Sequence, residues 1–227
     1  MNILKYTLKL LLLLSSIYAW GQAEEPKDTI VEKLRPEPFV RVGFDLSAIG
    51  RNIMEREVQQ YEISFDSEIY HNWFLNLEGG ILNVASDNPD FEYSSNGWFV
   101  RTGMDFNLLK RQEKTQNDVV LVGVRYSFSS LSHESPRYNI SSIYWGGSEQ
   151  SGFIDKSSYL LHWFELSGGV TTEVFKNIFL SWSLRTRVRI TGTQEPELNP
   201  YYIGGFGQGK RRAPVMIHFS IKYRFGI

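Results

Sequence analysis

A glycine-rich segment near the C-terminus has the residue spacing of a phosphate-binding loop. Residues 204–210 read Gly-Gly-Phe-Gly-Gln-Gly-Lys. In such a loop, backbone N–H groups surround the phosphates, the lysine contacts them, and a following Ser or Thr binds Mg²⁺. Here Arg211 follows the lysine, and no helical pattern comes after it. We therefore expect no nucleotide site, and we interpret the basic run at 210–212 either as a solvated loop or as a contact for lipopolysaccharide phosphates.

Two sets of side chains in the sequence have the oxygen or nitrogen atoms that metal ions bind. Four oxygen-bearing residues cluster within six positions, at a spacing that could hold Ca²⁺: Asp87, Asn88, Asp90 and Glu92. The full calcium-loop pattern is absent, and Pro89 favours an ordinary turn. The chain has four histidines, which do not have the spacing of a metal site: His71, His133, His162 and His218. The sequence therefore predicts neither a metal nor a cofactor.

A serine and a histidine close in sequence raise the question of a surface hydrolase that acts on lipid. His162 has Ser158 and Ser167 nearby. A Ser-His-acid site needs its members on one surface, whereas an alternating strand projects Ser167 and His162 to opposite faces. We expect the protein not to be an enzyme, and modification of lipid A or phospholipid stays open as an alternative function.

Composition and charge exclude other classes of protein. The 227 residues include no cysteine, so neither disulfides nor cysteine lipidation are available. A formal net charge of −1 at pH 7 argues against a nucleic-acid partner. Beyond the N-terminal region, no apolar stretch reaches the eighteen or so residues that a transmembrane helix needs.

The N-terminus has the pattern of an export signal. Two lysines precede an apolar run at 10–17, and the small residues Ala19 and Gly21 precede a cleavage site that we place before Gln22. The apolar run is too short for a transmembrane helix. We therefore predict a cleaved signal peptide at 1–21, followed by a polar, proline-containing periplasmic linker at 22–38.

The last thirteen residues alternate between apolar and polar or small side chains. Every odd position from Val215 to Ile227 is apolar, and the even positions include Lys222 and Arg224. A strand of this length crosses a bilayer, and one apolar face opposite one cationic face is typical of a transmembrane β-barrel. Including this strand, eight segments alternate in the same way: 39–48, 58–70, 73–82, 98–109, 118–128, 159–174, 178–190 and 215–227.

The connections between these segments also alternate, in length. The shorter ones are 71–72, 110–117 and 175–177, and the longer ones are 49–57, 83–97, 129–158 and 191–213. Short periplasmic turns and longer outer loops are a feature of outer-membrane barrels. We therefore predict an all-β fold, an eight-stranded antiparallel transmembrane β-barrel at 39–227. The alternative is a soluble sandwich or lipocalin, in which the apolar face would point inward.

The polar faces of the eight segments carry eight acids and eight bases. In a barrel this narrow, we expect them to pair and fill the lumen, because unpaired buried charges are costly. The predicted lumen charge network is Arg41, Asp45, Glu62, Asp66, Glu68, Glu78, Arg101, Asp105, Arg125, Glu165, Glu173, Arg185, Arg187, Arg189, Lys222 and Arg224. An anion path along Arg185, Arg187 and Arg189 is the alternative. On the lipid face, we expect aromatic girdles that include Trp73, Trp98, Tyr159 and Trp182.

The predicted outer loops contain more aromatic residues than solvating loops need. We interpret six of them as contacts for other proteins: Tyr138, Tyr144, Trp145, Tyr201, Tyr202 and Phe206. The alternative is that these loops pack on themselves above the barrel.

The ending, with Tyr223, Phe225 and Ile227 at alternate positions, resembles the C-terminal sorting signal of outer-membrane barrels. That pattern usually closes on Phe, whereas this chain closes on Ile227. With the signal peptide and the eight strands, the chain resembles the small eight-stranded outer-membrane proteins of Gram-negative bacteria, in particular uncharacterised single-barrel members. The resemblance covers roughly residues 39–227 and implies location in the outer membrane, while members of this class differ in function.

These patterns lead to one main functional expectation. We expect a structural or accessory interaction subunit of an envelope assembly or transport complex, with partners that include the lipid bilayer, other outer-membrane proteins and lipopolysaccharide. A lipid-modifying enzyme and a small anion pore are the alternatives.

Overall fold

The computed structural model describes residues 38–88, 91–109, 117–141, 149–153, 155–192, 200–209 and 214–226. The predicted signal peptide (1–21) and all but the last residue of the predicted linker (22–38) lie outside the described residues. Four further residues and one short segment of interest also lie outside them: Asp90, Tyr144, Trp145, Ile227 and the basic run 210–212.

The described chain is almost entirely β-structure. In chain order its elements are β1 (Phe39–Asp45), α1 (Leu46–Met54), β2 (Val58–Tyr70), β3 (Trp73–Asn88), β4 (Phe91–Asn107), β5 (Val119–Ser141), β6 (Glu149–Phe153), β7 (Ser157–Phe175), β8 (Ile178–Gly192), β9 (Tyr202–Ile203), β10 (Gly207–Gln208) and β11 (Val215–Gly226). Eight strands of one antiparallel sheet, all except β6, β9 and β10, form a closed barrel in which β1 pairs with β11 and β4 pairs with β5. β6 belongs to the same sheet and pairs with the outer part of β5. The predicted fold is confirmed.

The outer face of this barrel is apolar. Two rows of paired residues bound it on β2, β3 and β4: Tyr70, Trp73 and Phe106 at the end with the short turns, and Tyr61, Ile81 and Trp98 at the other end. Between Trp73 and Ile81, β3 has the length that a strand needs to cross hydrocarbon, about 9–11 residues. Large side chains point outward over the whole belt, and Trp182 for example is 50% exposed. Such a surface is stable against lipid rather than water.

Two of the predicted outer loops are largely strand, and a third contains a short hairpin. β3 continues to Asn88, and β4 already begins at Phe91. The prediction of a loop at 83–97 was therefore wrong. β5 continues to Ser141 and pairs there with β6, inside the predicted loop 129–158, and β9 and β10 form a hairpin inside 191–213. These extensions lie beyond the hydrocarbon, where neither face must be apolar, and so the alternation that marks a membrane strand is lost.

The prediction that the first strand continues to residue 48 was also wrong, because the chain becomes helical after Asp45. The Asp45 side chain caps α1 by accepting a hydrogen bond from the Ser47 backbone N–H at 2.8 Å. Along α1, apolar residues recur at helical spacing and face outward, with Ile53 73% and Met54 86% exposed. The helix therefore presents a lipid-compatible stripe. No helix in the described ranges is long and apolar enough to cross a membrane.

The switch from strand to helix shortens the hydrogen-bonded wall. On the β2 side, the ladder of β1 ends with the pair Phe44 and Ile63; on the β11 side, it ends with Asp45 and Ser220. Above this level α1 contacts both β2 and β11. The side-chain amide of Asn52 bonds to the backbone of Gln60 on the β2 edge, so α1 takes the position that the upper half of a strand would fill.

Candidate functional site: the closed lumen and its mouth

The centre of the lumen is organised around Arg101, which is 0% exposed. Its guanidinium contacts Glu62 Oε1, lies 2.9 Å from Glu78 Oε2 and lies 3.6 Å from Glu165 Oε1. Glu62 and Glu78 come from the neighbouring strands β2 and β3, and Glu165 comes from β7, on the opposite side of the barrel from β2. One buried arginine thus ties the walls together across the lumen.

Further arginines neutralise the same carboxylates. Arg185 forms a bidentate pair with Glu78, with N···O distances of 2.6 and 3.0 Å. Arg187 Nε lies 3.1 Å from Glu165 Oε1. Arg185 and Arg187 are two of the three arginines that we considered as the lining of an anion path. Both are paired with acids in the structure. The pairing fills the middle of the lumen with fixed, compensated charge.

A second charge group closes the barrel nearer the short turns. Asp66 accepts from Arg41 at 2.6 Å and from Lys222 at 2.7 Å. The Arg41 guanidinium also lies 5.1 to 5.3 Å from the ring centroids of Phe39, Phe74 and Phe179. These rings exclude water from the pair at this end of the lumen.

Of the sixteen predicted network residues, twelve are buried in the lumen. They divide equally between six acids and six bases: Asp45, Glu62, Asp66, Glu78, Asp105 and Glu165, with Arg41, Arg101, Arg125, Arg185, Arg187 and Lys222. The other four are half-buried: Glu68, Glu173, Arg189 and Arg224. Three of these four serve the turn end, where Glu68 accepts from the Asn72 N–H, Glu173 accepts from the Asn177 N–H, and Arg224 donates to Asn117.

The structure brings His218 to two lumen acids, a grouping that sequence spacing does not show. His218 Nδ1 lies 3.2 Å from Asp45 Oδ2, and one ligand atom each from Asp45, Glu62 and His218 lie within 4.8 Å of one another. Arg187 Nη2 already lies 2.6 Å from His218 Nε2, and Arg101 contacts Glu62. Two neighbouring guanidinium groups disfavour a bound cation, so we interpret this cluster as part of the ionic filling. The signal in the sequence was the even position of His218 on the polar face of β11.

The outer mouth of the barrel is closed by the β9–β10 hairpin. Arg101 donates to the carbonyl of Gly205 at 3.2 Å, and Arg187 donates to the carbonyl of Phe206 at 3.0 Å. The Phe206 ring packs edge-on against Trp163, with centroids 5.5 Å apart. Gly205 has φ +74° and its Cβ would meet the Phe99 ring, so glycine is required at this turn. The glycine-rich segment is therefore a plug over the lumen up to Gly209, with backbone carbonyls where a phosphate loop would present N–H groups.

The aromatic residues that we predicted as loop contacts lie in different environments. Tyr202 and Phe206 are buried in the mouth, where they pack with the apolar residues of the hairpin, and so they are not exposed contacts. Tyr201 is exposed. Tyr138 lies on the outer part of β5, paired with Gly152 of β6. Tyr159, which we expected on the lipid face, is buried in the same mouth cluster, because the upper lumen is apolar around the plug.

Two other groups from the sequence analysis remain: the serine–histidine pair and the oxygen-bearing residues near 87–92. His162 faces outward and its Nδ1 lies 2.7 Å from the Tyr126 hydroxyl, while Ser167 is buried in the lumen beside Asp105. The structure instead pairs Ser157 Oγ with His133 Nε2 at 3.0 Å. No carboxylate of the described ranges pairs with His133. Asp87 and Glu92 occupy paired positions on β3 and β4.

The chain belongs to the family described as Domain of unknown function (DUF6048), whose model matches residues 3–227. No curated protein matches the sequence.

Three solved structures with low similarity are small outer-membrane proteins. The attachment invasion locus protein Ail of Yersinia pestis is 9% identical, with 84% of this chain and 100% of Ail covered and a TM-score of 0.41. Neisserial surface protein A is 12% identical, with coverage of 84% and 96% and a TM-score of 0.36. A major outer membrane protein of Thermus thermophilus is 8% identical, with coverage of 84% and 100% and a TM-score of 0.46.

These scores are too low to support an inference about function. The assignment of this chain to a membrane rests on its own closed barrel, its apolar outer belt and its ionic interior. A barrel with these two faces is stable in a bilayer, where lipid covers the apolar belt. The protein is an outer-membrane β-barrel, and the predicted class and location are confirmed.

Proposed function

We propose that this DUF6048 barrel is a non-enzymatic accessory subunit that holds another outer-membrane protein in an envelope complex. The observation that carries the proposal is a sheet that continues beyond the lipid belt. β5 is 23 residues long, more than twice the length that a membrane strand needs. We call this extension the outer ribbon: residues 85–88 of β3, 91–95 of β4, 134–141 of β5, and β6.

Among the residues that the structure describes, the outer ribbon ends in a strand that is paired along one edge only. β6 pairs with β5 from Arg137 opposite Phe153 to Ser141 opposite Glu149, and it is the last strand of the sheet order. Within the described part of the chain, no strand pairs with its other edge. An exposed edge offers a row of backbone N–H and C=O groups to a strand of a partner, and such strand addition is a common mode of recognition. Phe153, 74% exposed, adds an apolar contact at this edge.

The filled lumen supports a binding role rather than a transport role. Six buried acids and six buried bases compensate one another, and the β9–β10 hairpin bonds to Arg101 and Arg187 above them. An ion would have to displace these pairs to pass. This arrangement speaks against the alternative of an anion pore.

The proposal is tested by purification of the intact protein from native membranes after mild chemical cross-linking. We compare the wild type with Ser151→Lys, since a lysine on an edge strand opposes strand addition. Gln59→Lys is the matched control, because Gln59 is also exposed but lies on β2, a barrel strand paired with β3. We expect a stoichiometric protein partner with the wild type and with Gln59→Lys, and its loss with Ser151→Lys. Recovery of monomer alone from all three would overturn the proposal.

A further inference from the structure

The helix α1 contacts the plug over the lumen mouth, although the two segments are far apart in the chain. We define the plug as Tyr202–Gly209, the segment that contains β9 and β10. Arg51 belongs to the last turn of α1, and its guanidinium lies 6.0 Å from the centroid of the Tyr202 ring. At this distance, the face of an aromatic ring attracts a cation. The first connection between helix and plug is therefore direct.

A second connection passes through one residue of the barrel wall. Gln60 of β2 bonds to both segments: its backbone pairs with the Asn52 side chain, and its Oε1 accepts from the Gly205 N–H at 3.3 Å. Gln60 is buried, so water does not compete for these bonds. The two bonds from α1 thus fix the backbone from which the Gln60 side chain reaches the plug.

A third connection passes through the ionic lumen. The Phe206 carbonyl accepts from Arg187 Nη1 at 3.0 Å, and Arg187 Nη2 lies 2.6 Å from His218 Nε2. Because arginine can only donate, His218 Nε2 accepts and the ring proton lies on Nδ1. That N–H group faces Asp45, whose Oδ2 lies 3.2 Å from Nδ1 and whose Oδ1 caps α1. The first turn of the helix is thereby connected to the plug.

Both α1 and the plug lie outside the hydrogen-bonded ladder of the barrel. The ladder of β1 ends with the pairs Phe44–Ile63 and Asp45–Ser220, before α1 begins. β9 and β10 form a separate two-stranded sheet. Side-chain contacts, rather than strand pairing, hold these segments to the wall, so they can separate from it while the eight strands stay paired. Such segments open at a lower free energy than paired core strands.

We propose that α1 and the plug open and close as one cooperative unit, in which α1 is the latch of the lumen mouth. Opening of either segment removes partners from the other, and such coupling between two sites is reciprocal. An open unit uncovers the N–H groups of Arg101 and Arg187 that donate to the Gly205 and Phe206 carbonyls in the closed state. The latch therefore controls access to two guanidinium groups at the outer mouth.

The latch is independent of strand addition at the outer ribbon. α1 follows β1, whereas the longest part of the outer ribbon belongs to β5, on the opposite side of the barrel. Loss of a partner in the Ser151→Lys variant would leave the coupling between α1 and the plug unchanged.

Hydrogen exchange of the full chain in lipid vesicles, read by mass spectrometry, tests the coupling from both ends. Asn52→Ala removes the bonds between α1 and Gln60, and Phe206→Ala removes the contact of the plug with Trp163. We expect each variant to raise exchange at least about tenfold in α1, and by the same factor in the plug.

The controls for these variants are Asn96→Ala and Tyr201→Ala, because both positions are exposed. They should leave exchange unchanged in α1 and in the plug. A rise confined to α1 in Asn52→Ala, or confined to the plug in Phe206→Ala, would show two independent segments and overturn the proposal.

A measurement on the wild type keeps the test decisive if a variant does not fold. Exchange is followed at low concentrations of urea, which promote openings in proportion to the surface that they expose. We expect α1 and the plug to have the same opening free energy and the same dependence on urea, both smaller than those of the belt strands. A different urea dependence for the two segments, or opening only together with the belt strands, would contradict a latched unit.

Discussion

The side-chain amide of Asn52 pairs with the backbone of Gln60 as a neighbouring strand would. Asn52 Nδ2 donates to the Gln60 carbonyl at 2.9 Å, and Asn52 Oδ1 accepts from the Gln60 N–H at 2.8 Å. Gln60 lies on the stretch of β2 that β1 no longer reaches. One residue of α1 therefore satisfies both backbone groups at an edge that would otherwise face lipid without partners.

Replacement of Asn52 by alanine should destabilise the barrel at this seam. Both backbone groups of Gln60 would lose their partners in a water-poor place, at a cost of about 1–3 kcal/mol. The measurement is the free energy of unfolding by urea in lipid vesicles. Asn96→Ala is the control, because Asn96 is exposed on β4. Equal stability of the two variants would show that α1 does not stand in for a strand.

Replacement of Arg101 by methionine should be far more damaging than the same change at an exposed arginine. The change leaves Glu62, Glu78 and Glu165 without their shared cation, and removal of one partner from a buried ionic group costs about 3–5 kcal/mol. Arg56→Met, in the exposed turn after α1, should change stability by less than about 0.5 kcal/mol. Urea unfolding of both variants is the test, and similar losses would contradict a central role for Arg101.

Two glycines on opposite faces should respond differently to alanine. A Cβ on Gly123 would overlap Asp105 Oδ1 and the Met104 carbonyl, because Gly123 faces the filled lumen. A Cβ on Gly168 meets nothing within 4 Å. We expect Gly123→Ala to reduce the yield of folded barrel severalfold and Gly168→Ala to leave it unchanged, measured by refolding into vesicles. Normal folding of Gly123→Ala would show that the lumen has free space.

Replacement of Phe206 by alanine should loosen the plug while the barrel stays intact. The variant loses the ring contact with Trp163 and a buried side chain, which costs about 3–5 kcal/mol for a well-packed phenylalanine. Hydrogen exchange should therefore rise across Tyr202–Gly209 and stay unchanged in the belt strands. Tyr201→Ala, at an exposed neighbour, should leave exchange unchanged. A rise of exchange throughout the barrel would contradict a separable plug.

The belt strands and their faces were predictable because hydrocarbon on one side and an ionic lumen on the other impose strict alternation. Leu77 and Glu78 show this rule at its simplest, one exposed and one buried. Near the mouth the alternation continues, but the inward face becomes apolar: Tyr159 has the same inward parity as Glu165 and packs around the plug. The sequence near Tyr159 carries no sign of a distant hairpin that will lie beside it.

The helix α1 was missed although its signals are in the sequence. Asp45 is a good N-cap, and apolar residues follow at 46, 49 and 53, but the alternation of β1 also continues smoothly to residue 46. The local sequence pattern alone could not decide between a helix that begins after Asp45 and a strand that continues. Two of the three partners of Arg101 were equally inaccessible: Glu78 lies opposite Arg101 on the adjacent strand, whereas Glu62 and Glu165 belong to strands that do not pair with the strand of Arg101.

The central claim is that the apolar face meets lipid and the ionic face is enclosed, and two tryptophans test it directly. Trp182 is 50% exposed on the belt, whereas Trp163 is 0% exposed beneath the plug. Variants that each retain one of these tryptophans are reconstituted in vesicles whose lipids carry brominated acyl chains, which quench fluorescence on contact. The account predicts strong quenching of Trp182 and none of Trp163. Quenching of Trp163 with Trp182 unaffected would contradict it.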